Sequence, residues 1–184
     1  MSEGKLSTAE QRRPIVAEAA LTQFARGGYH GTTVADVARE AGISPAYVFK
    51  LFPSKESLFG VALETCFAKV VAAVTSAAAR ADTTDPDEIL EAMGDAYALL
   101  IRDRELLMLQ VHAQAVAHIP DIGAALRTGI ADVVDTAKRL SGAADDAVQR
   151  FMAYGQLCHL IVTTGMTDVD DQWARLLTAG MFHP

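Results

Sequence analysis

Cysteine is almost missing from this chain of 184 residues: only Cys66 and Cys158 occur, far apart in sequence. That spacing offers neither a metal knuckle nor a disulfide framework, and it fits a reducing compartment. Strand-like alternation of useful length is missing too, which argues against sheet-based folds. No uninterrupted apolar stretch approaches the roughly 18–20 residues of a membrane span. The opening Met1-Ser2-Glu3-Gly4-Lys5 runs into polar Ser7-Thr8-Ala9-Glu10-Gln11, without the apolar centre of a secretory leader. Phosphate-binding loops, a G-x-S-x-G elbow and an H-E-x-x-H pair are all absent, so no enzyme class is indicated. Together these gaps predict a cytoplasmic protein that is not an enzyme and has no membrane partner.

Positive charge is the remaining shortage, with 16 Lys and Arg against 23 Asp and Glu, a net charge of −7. The deficit is uneven. Residues 1–60 hold seven basic and six acidic side chains, a balance of +1, and the rest hold nine and seventeen, a balance of −8. Binding to phosphate depends on where cations sit rather than on their total, so the N-terminal third remains open to nucleic acid.

What is present is helical punctuation from end to end, in a chain with 51% apolar residues. Ser7 with Glu10 makes a capping-box pattern for a helix to Arg26, where Gly27-Gly28 can take a left-handed stop. Thr32 and Thr33 cap a second helix ending at Gly42. Ser44-Pro45 start a third, Pro53 ends it, and Ser54 caps a long fourth reaching about Arg80. Asp85-Pro86-Asp87-Glu88 opens another, with a cap, a proline and first-turn acids. Breaks near Asp103, Pro120, Ser141-Gly142 and Gly165–Asp168 then give an all-α chain of about nine helices, the last from Val169 to about Met181. The expected organisation is an N-terminal helical domain over residues 7–53 and a C-terminal helical domain over 54–184.

The informative stretch runs from Thr32 to Phe59. Val34, Val37, Ala38 and Ala41 fall on one helical face, and Gly42 supplies the positive φ of a tight turn. Ile43 can tuck into the core beneath it. In the next helix Val48, Leu51 and Phe52 point inward, leaving Ala46, Tyr47 and Lys50 outward. Two short helices joined by a glycine turn match a helix-turn-helix, whose second helix enters the major groove N-terminus first. Tyr47 offers a hydroxyl and a ring, and Ala46 allows close approach or touches a thymine methyl. Free N–H groups near Thr33, with Lys50 and Lys55, suit phosphates. Lys5, Arg12 and Arg13 read equally as an arm on the DNA backbone or as a solvated cluster.

The run from Phe24 to Phe59 resembles the DNA-binding domain of TetR-type (tetracycline-repressor-like) regulators. Gly28, Thr32, Thr33, Val34, Val37, Ala38, Ala41, Gly42, Ile43, Ser44, Phe52, Ser54, Lys55, Glu56 and Leu58 follow that family's pattern in order. The resemblance implies a ligand-responsive regulator, most simply a repressor, whose partners are a palindromic double-stranded DNA operator, a second copy of the chain and a small-molecule effector. It implies a DNA-contacting set of Thr32, Thr33, Ser44, Pro45, Ala46, Tyr47, Lys50 and Lys55. Ala46, Tyr47, Phe49 and Leu51 depart from the pattern. Phe49 stands where a phosphate-bonding Tyr is usual and forfeits a neutral hydrogen bond of roughly 0.5–1.5 kcal/mol. Phe49 and Leu51 lend some support to an alternative, a regulator-like adaptor acting through protein contacts.

Beyond about residue 70 the resemblance weakens, while amphipathic helices continue. Met93, Tyr97, Met108, His112 and Tyr154 are candidate effector-pocket residues, since a mostly apolar cavity with few polar groups suits a small molecule; taken singly, each of these side chains reads first as core. Phe151, Met152, Gly155, His159, Trp173 and Leu177, with small residues between large ones, are candidates for the dimer interface that the resemblance places in the last two helices. His112 and His118 lie about 120° apart on a helix, so one face cannot present both to a metal. No metal or cofactor is expected.

Overall fold

The computed structural model describes residues 8–180, with side chains from Ala9. Nine α-helices are formed among them: α1 Thr8–Gly31, α2 Val34–Glu40, α3 Pro45–Leu51, α4 Lys55–Arg80, α5 Pro86–Leu100, α6 Arg104–Ala115, α7 Pro120–Ser141, α8 Asp145–Thr164 and α9 Gln172–Thr178, with one 3-10 turn at Met166–Asp168. No strand occurs among the described residues. The chain is all-α, as its periodicity indicated. Its residues divide into two compact units, one running to Cys66 and resuming at Met108–Thr128, the other comprising Phe67–Leu107 and the chain from Gly129 onward.

In the first unit α1, α2 and α3 pack around Val16, Ala20, Phe24, Val37 and Val48, all at most 1% exposed. Phe24 meets Phe59 of α4 with ring centroids 4.7 Å apart. A pair of rings at that distance adds to the area burial that dominates such cores. Helix α1 does not stop at Arg26. Gly28 takes φ 63° and ψ −176°, which kinks the helix, and one more turn carries it to Gly31. That backbone region is open essentially only to glycine. The kink is filled by His112 of α6, whose Nδ1 would lie 3.2 Å from a Cβ at position 28. The capping role foreseen for Ser7, the arm foreseen for Lys5 and the helix end foreseen at Met181 lie outside the described residues.

In the second unit Val74, Ile89, Leu90, Met93, Ala137, Ala143, Ala147 and Val148 form a buried cluster, with Tyr97 and Phe151 packed on it. Asp85 opens α5 by accepting the N–H groups of Asp87 and Glu88 at 2.9 and 3.3 Å. The last helix starts later than the sequence suggested. Val169 is extended, and Asp171 is the residue that precedes the first helical position.

Helix α4 comes closer to membrane-span composition than its sequence first indicates. Glu64 and Lys69 interrupt the apolar run, yet its average still makes it the one described helix long and apolar enough to cross a bilayer. Leu58, Phe59, Ala62, Leu63, Cys66, Val70 and Val74 are instead buried against protein. A core helix passes the same compositional test as a spanning one.

Candidate nucleic-acid interface

The turn into α2 is built by Thr32 and Thr33 in different ways. Thr32 is 2% exposed, and its hydroxyl donates to the Gln23 carbonyl at 2.9 Å, fastening α1 to the segment that follows. Its side chain is therefore structural rather than available to DNA. Thr33 is the N-cap. Its Oγ1 accepts the Asp36 N–H at 3.2 Å, and the Asp36 carboxylate accepts the Thr33 N–H at 2.9 Å and the Thr33 hydroxyl at 2.6 Å. This reciprocal box satisfies two helix-start donors and leaves those of Val34 and Ala35 for an external acceptor. Hydrogen bonds from Thr33, with a further one from Arg39, hold the Asp36 carboxyl down at about 2. Asp36 consequently keeps a negative charge beside the helix start, offset by Arg39 at 2.5 Å.

The chain then turns at Gly42, φ 66°, and α3 begins at Pro45. Ser44 caps it by accepting the Tyr47 N–H at 3.2 Å. Val48 and Leu51 are buried, and so is Phe52 just beyond. Ala46 and Lys50 are exposed, and Tyr47 is half-buried. Phe49, 50% exposed, shares the outward face with Ala46 and Lys50. The C-terminal end of α3 is held by Arg13, whose guanidinium donates to the Leu51 carbonyl at 2.7 Å and lies 4.8 Å over the Phe52 ring. Of the three cations considered for an arm, Arg13 therefore serves as a strut for α3. Its charge also suits a helix C-terminus.

At the start of α4, Ser54 accepts the Ser57 N–H at 3.0 Å. Lys55 sits with its ammonium 4.5 Å over the Tyr29 ring, a cation–π contact that holds it near this helix end. The Tyr29 hydroxyl donates to the Glu56 carboxylate. That bond, then burial, then the Glu56 charge push the tyrosine up to about 12, and the same bond lowers Glu56. Ala46, Phe49 and Lys50 are exposed, Tyr47 and Lys55 are half-buried, and the cap of α2 is exposed at Thr33. Base edges would meet the start of α3, and phosphates the cations and free N–H groups.

The effector candidates separate. Met93 is fully buried in the second unit's cluster, where Tyr97 joins it. Met108 and His112 fall in the first unit, and Tyr154 is 57% exposed. The candidates for the dimer face separate as well. Phe151 packs on the cluster, Gly155 lies against Tyr97, and His159 is 4% exposed, so all three serve the interior. Met152 and Leu177 are half-buried, while Trp173 is 52% exposed. Sequence reasoning missed Leu160, at 47% exposure, and assigned Tyr154 elsewhere. The signal was there: Tyr154, Leu157 and Leu160 recur every three residues, a second apolar stripe on α8.

The pairing of Tyr97 with His159, 62 positions apart, was also missed. The tyrosine hydroxyl and His159 Nε2 share a short hydrogen bond, and the His159 Nδ1 is buried without a partner. Burial lowers the imidazole to about 4, so it stays neutral at ordinary pH. Both cysteines are buried and outside any disulfide, and burial pushes the Cys158 thiol up. Among the described residues no group of three or more His, Cys, Asp or Glu could hold a metal ion.

Residues 16–62 match the family model for bacterial regulatory proteins of the tetR family. No curated protein matches the chain. Among solved structures it is similar to a TetR-family transcriptional regulator from Mesorhizobium loti, 22% identical over 91% of this chain and 89% of that one, with a TM-score of 0.64. It is similar to the fatty acid degradation regulator FadR of Bacillus halodurans, 16% identical over 92% and 99%, TM-score 0.68. FadR of Bacillus subtilis, solved in complex with stearoyl-CoA, is 15% identical over the same shares, TM-score 0.69. At these identities the likeness establishes a common fold across nearly the whole chain. The resemblance to TetR-type regulators, carried in sequence by the N-terminal third, holds.

Proposed function

We propose that the protein is a ligand-responsive transcriptional repressor that binds a palindromic operator as a homodimer. The observation that carries this reading is the start of α3. Val48 and Leu51 anchor the helix from below, while Ala46, Phe49 and Lys50 face outward on a segment matched by the tetR-family model. Residues 7–53 form the DNA-reading part and residues 54–184 the sensing and pairing part. Pairing through Tyr154, Leu160, Trp173 and Leu176, an exposed apolar set on α8 and α9, would present two α3 helices about 34–36 Å apart to successive major grooves.

Effector binding in the sensing part shifts α4, which contributes to both units, and releases DNA. A coupling of ~1–3 kcal/mol gives ~5–150-fold derepression. Two similar structures are FadR regulators, one of them solved with stearoyl-CoA, which supports small-molecule sensing here as well. An operator on the chromosome sets the cytoplasm as the working compartment.

Gel shift of the purified protein against the DNA upstream of its own coding region tests the reading. A regulator gives a discrete complex whose affinity falls steeply with salt. A monomer at operator-binding concentration, or no preference over random DNA, would overturn it. A second reading, an adaptor acting through protein contacts, is favoured by the half-exposed Phe49 ring at the centre of the outward face. It requires the same gel shift to show no specific complex.

A further inference from the structure

One helical turn beyond the Tyr97–His159 pair, the second unit opens a half-enclosed cleft of about 220 Å³ lined by Ile101, Arg102, Arg104 and Val162. Ile101 follows Tyr97 by four positions and Val162 follows His159 by three, so each lies on the same side of its chain segment as the polar residue before it. The cleft therefore lies one turn along both segments from the pair, whose two members do not line it. Its walls differ in kind. Ile101 is buried and Val162 half-buried, whereas Arg102 and Arg104 are exposed. Asp103, between the arginines, is occupied in opening α6: its carboxylate accepts the Glu105 N–H at 3.0 Å and its carbonyl the Leu106 N–H at 3.1 Å.

Two guanidinium groups over an apolar wall select an organic anion. Arginine forks match a carboxylate bidentately, and the aliphatic wall takes an uncharged body. Size narrows the class. An apolar cavity of about 150 Å³ admits benzene, so a cleft of about 220 Å³ has room for one ring or a short chain. We propose that it binds a small aromatic or short-chain aliphatic carboxylate, the carboxylate on Arg102 and Arg104 and the body on Ile101 and Val162. The proposal deepens, and rests on, the reading of this unit as a ligand sensor.

Calorimetric titration of the full chain with benzoate and hexanoate tests it, with benzylamine and benzyl alcohol as the cationic and neutral comparators. Saturable binding of a carboxylate is expected, weakened about tenfold or more when Arg102→Ala and Arg104→Ala are combined, since both charge-assisted contacts are lost. Benzylamine should not bind. Val162→Glu, which puts a carboxylate in the half-exposed wall, should abolish binding while far-UV helicity is unchanged. Undiminished benzoate affinity in the double variant, equal affinity for benzylamine, or no saturation by either acid up to ~10 mM would each overturn the assignment. A parallel gel shift decides the regulator reading separately, because carboxylate binding is measured without DNA. Binding that leaves an operator complex intact removes these acids as effectors but keeps the cleft.

Discussion

Acidifying the protein from about pH 7.5 to about pH 5 should weaken its fold by about 2 kcal/mol through His159 alone, at about 1.4 kcal/mol per pKa unit. The imidazole titrates near the ordinary 6.5 when the chain is unfolded and near 4 when it is folded, because burial penalises the cation. Between those values the unfolded state binds more protons, so stability rises with pH and is lost on acidification. At pH 5 the unfolded chain is almost fully protonated at this site and the folded one scarcely at all. Carboxylates confuse the window little, since Asp36, Glu56 and Asp146 are all held below their usual values and stay ionised there. Urea unfolding at constant ionic strength is the assay. With a slope of about 2 kcal/mol per M, the midpoint should fall by about 1 M across this range. His159→Gln has no proton to gain and should flatten the wild-type curve over the same interval. Tyr97→Phe should keep the slope, because burial rather than the tyrosine bond lowers the imidazole. Parallel curves for wild type and His159→Gln would refute the reasoning.

Thr33→Ala removes the N-cap of α2 and should cost ~1 kcal/mol of stability in thermal unfolding. The Asp36 half of that box stabilises above about pH 4 and loses its effect as pH falls through about 2, so the gap between wild type and variant should narrow in strong acid without closing, because the bond from the Asp36 N–H to the Thr33 hydroxyl does not titrate. Gly28→Ala forces a side chain into φ 63° against His112, and a loss of ~1–3 kcal/mol is expected by chemical denaturation. Tyr47→Ala should relax operator preference by ~1–3 kcal/mol at one base position, read by gel shift on single-base operator variants. Leu176→Arg, at the most exposed large apolar side chain among the described residues, should convert a dimer to a monomer in sedimentation equilibrium without changing helicity.

The parts of the fold that were legible in the sequence are those specified by neighbours in the chain. Thr33 with Asp36, Ser44 with Pro45, Ser54, and Asp85 with Pro86 each close their own helix start within three residues. A cap needs no tertiary partner, so residue type and spacing suffice. Gly28 was recognised as left-handed but not as a kink, because whether a chain continues past such a glycine depends on what fills the bend, here His112. The separate duties of Thr32 and Thr33 were hidden for a similar reason. Both are threonines before a helix, and only the Gln23 carbonyl nine residues back distinguishes them.

The C-terminal half was harder because its periodicity has more than one apolar stripe. On α8 the buried side carries Val148, Cys158 and Ile161, while Tyr154 and Leu160 form a second row that is exposed in a single copy. A helix apolar on two sides must bury both, one within the chain and one against something else. Sequence alone gives both rows the same weight, which is why Phe151, Gly155 and His159 were assigned outward and Tyr154 inward. The polar residues settle the direction: a histidine with one nitrogen bonded to Tyr97 and the other buried belongs to the inner row. Once His159 is fixed inside, the helical repeat turns Tyr154 and Leu160 away from it. The pH experiment on His159 and the association experiment on Leu176 therefore examine opposite faces of one α8–α9 layer, and they should respond independently. A histidine variant that lost its acid sensitivity and also dissociated would mean that the inner and outer rows are not separate.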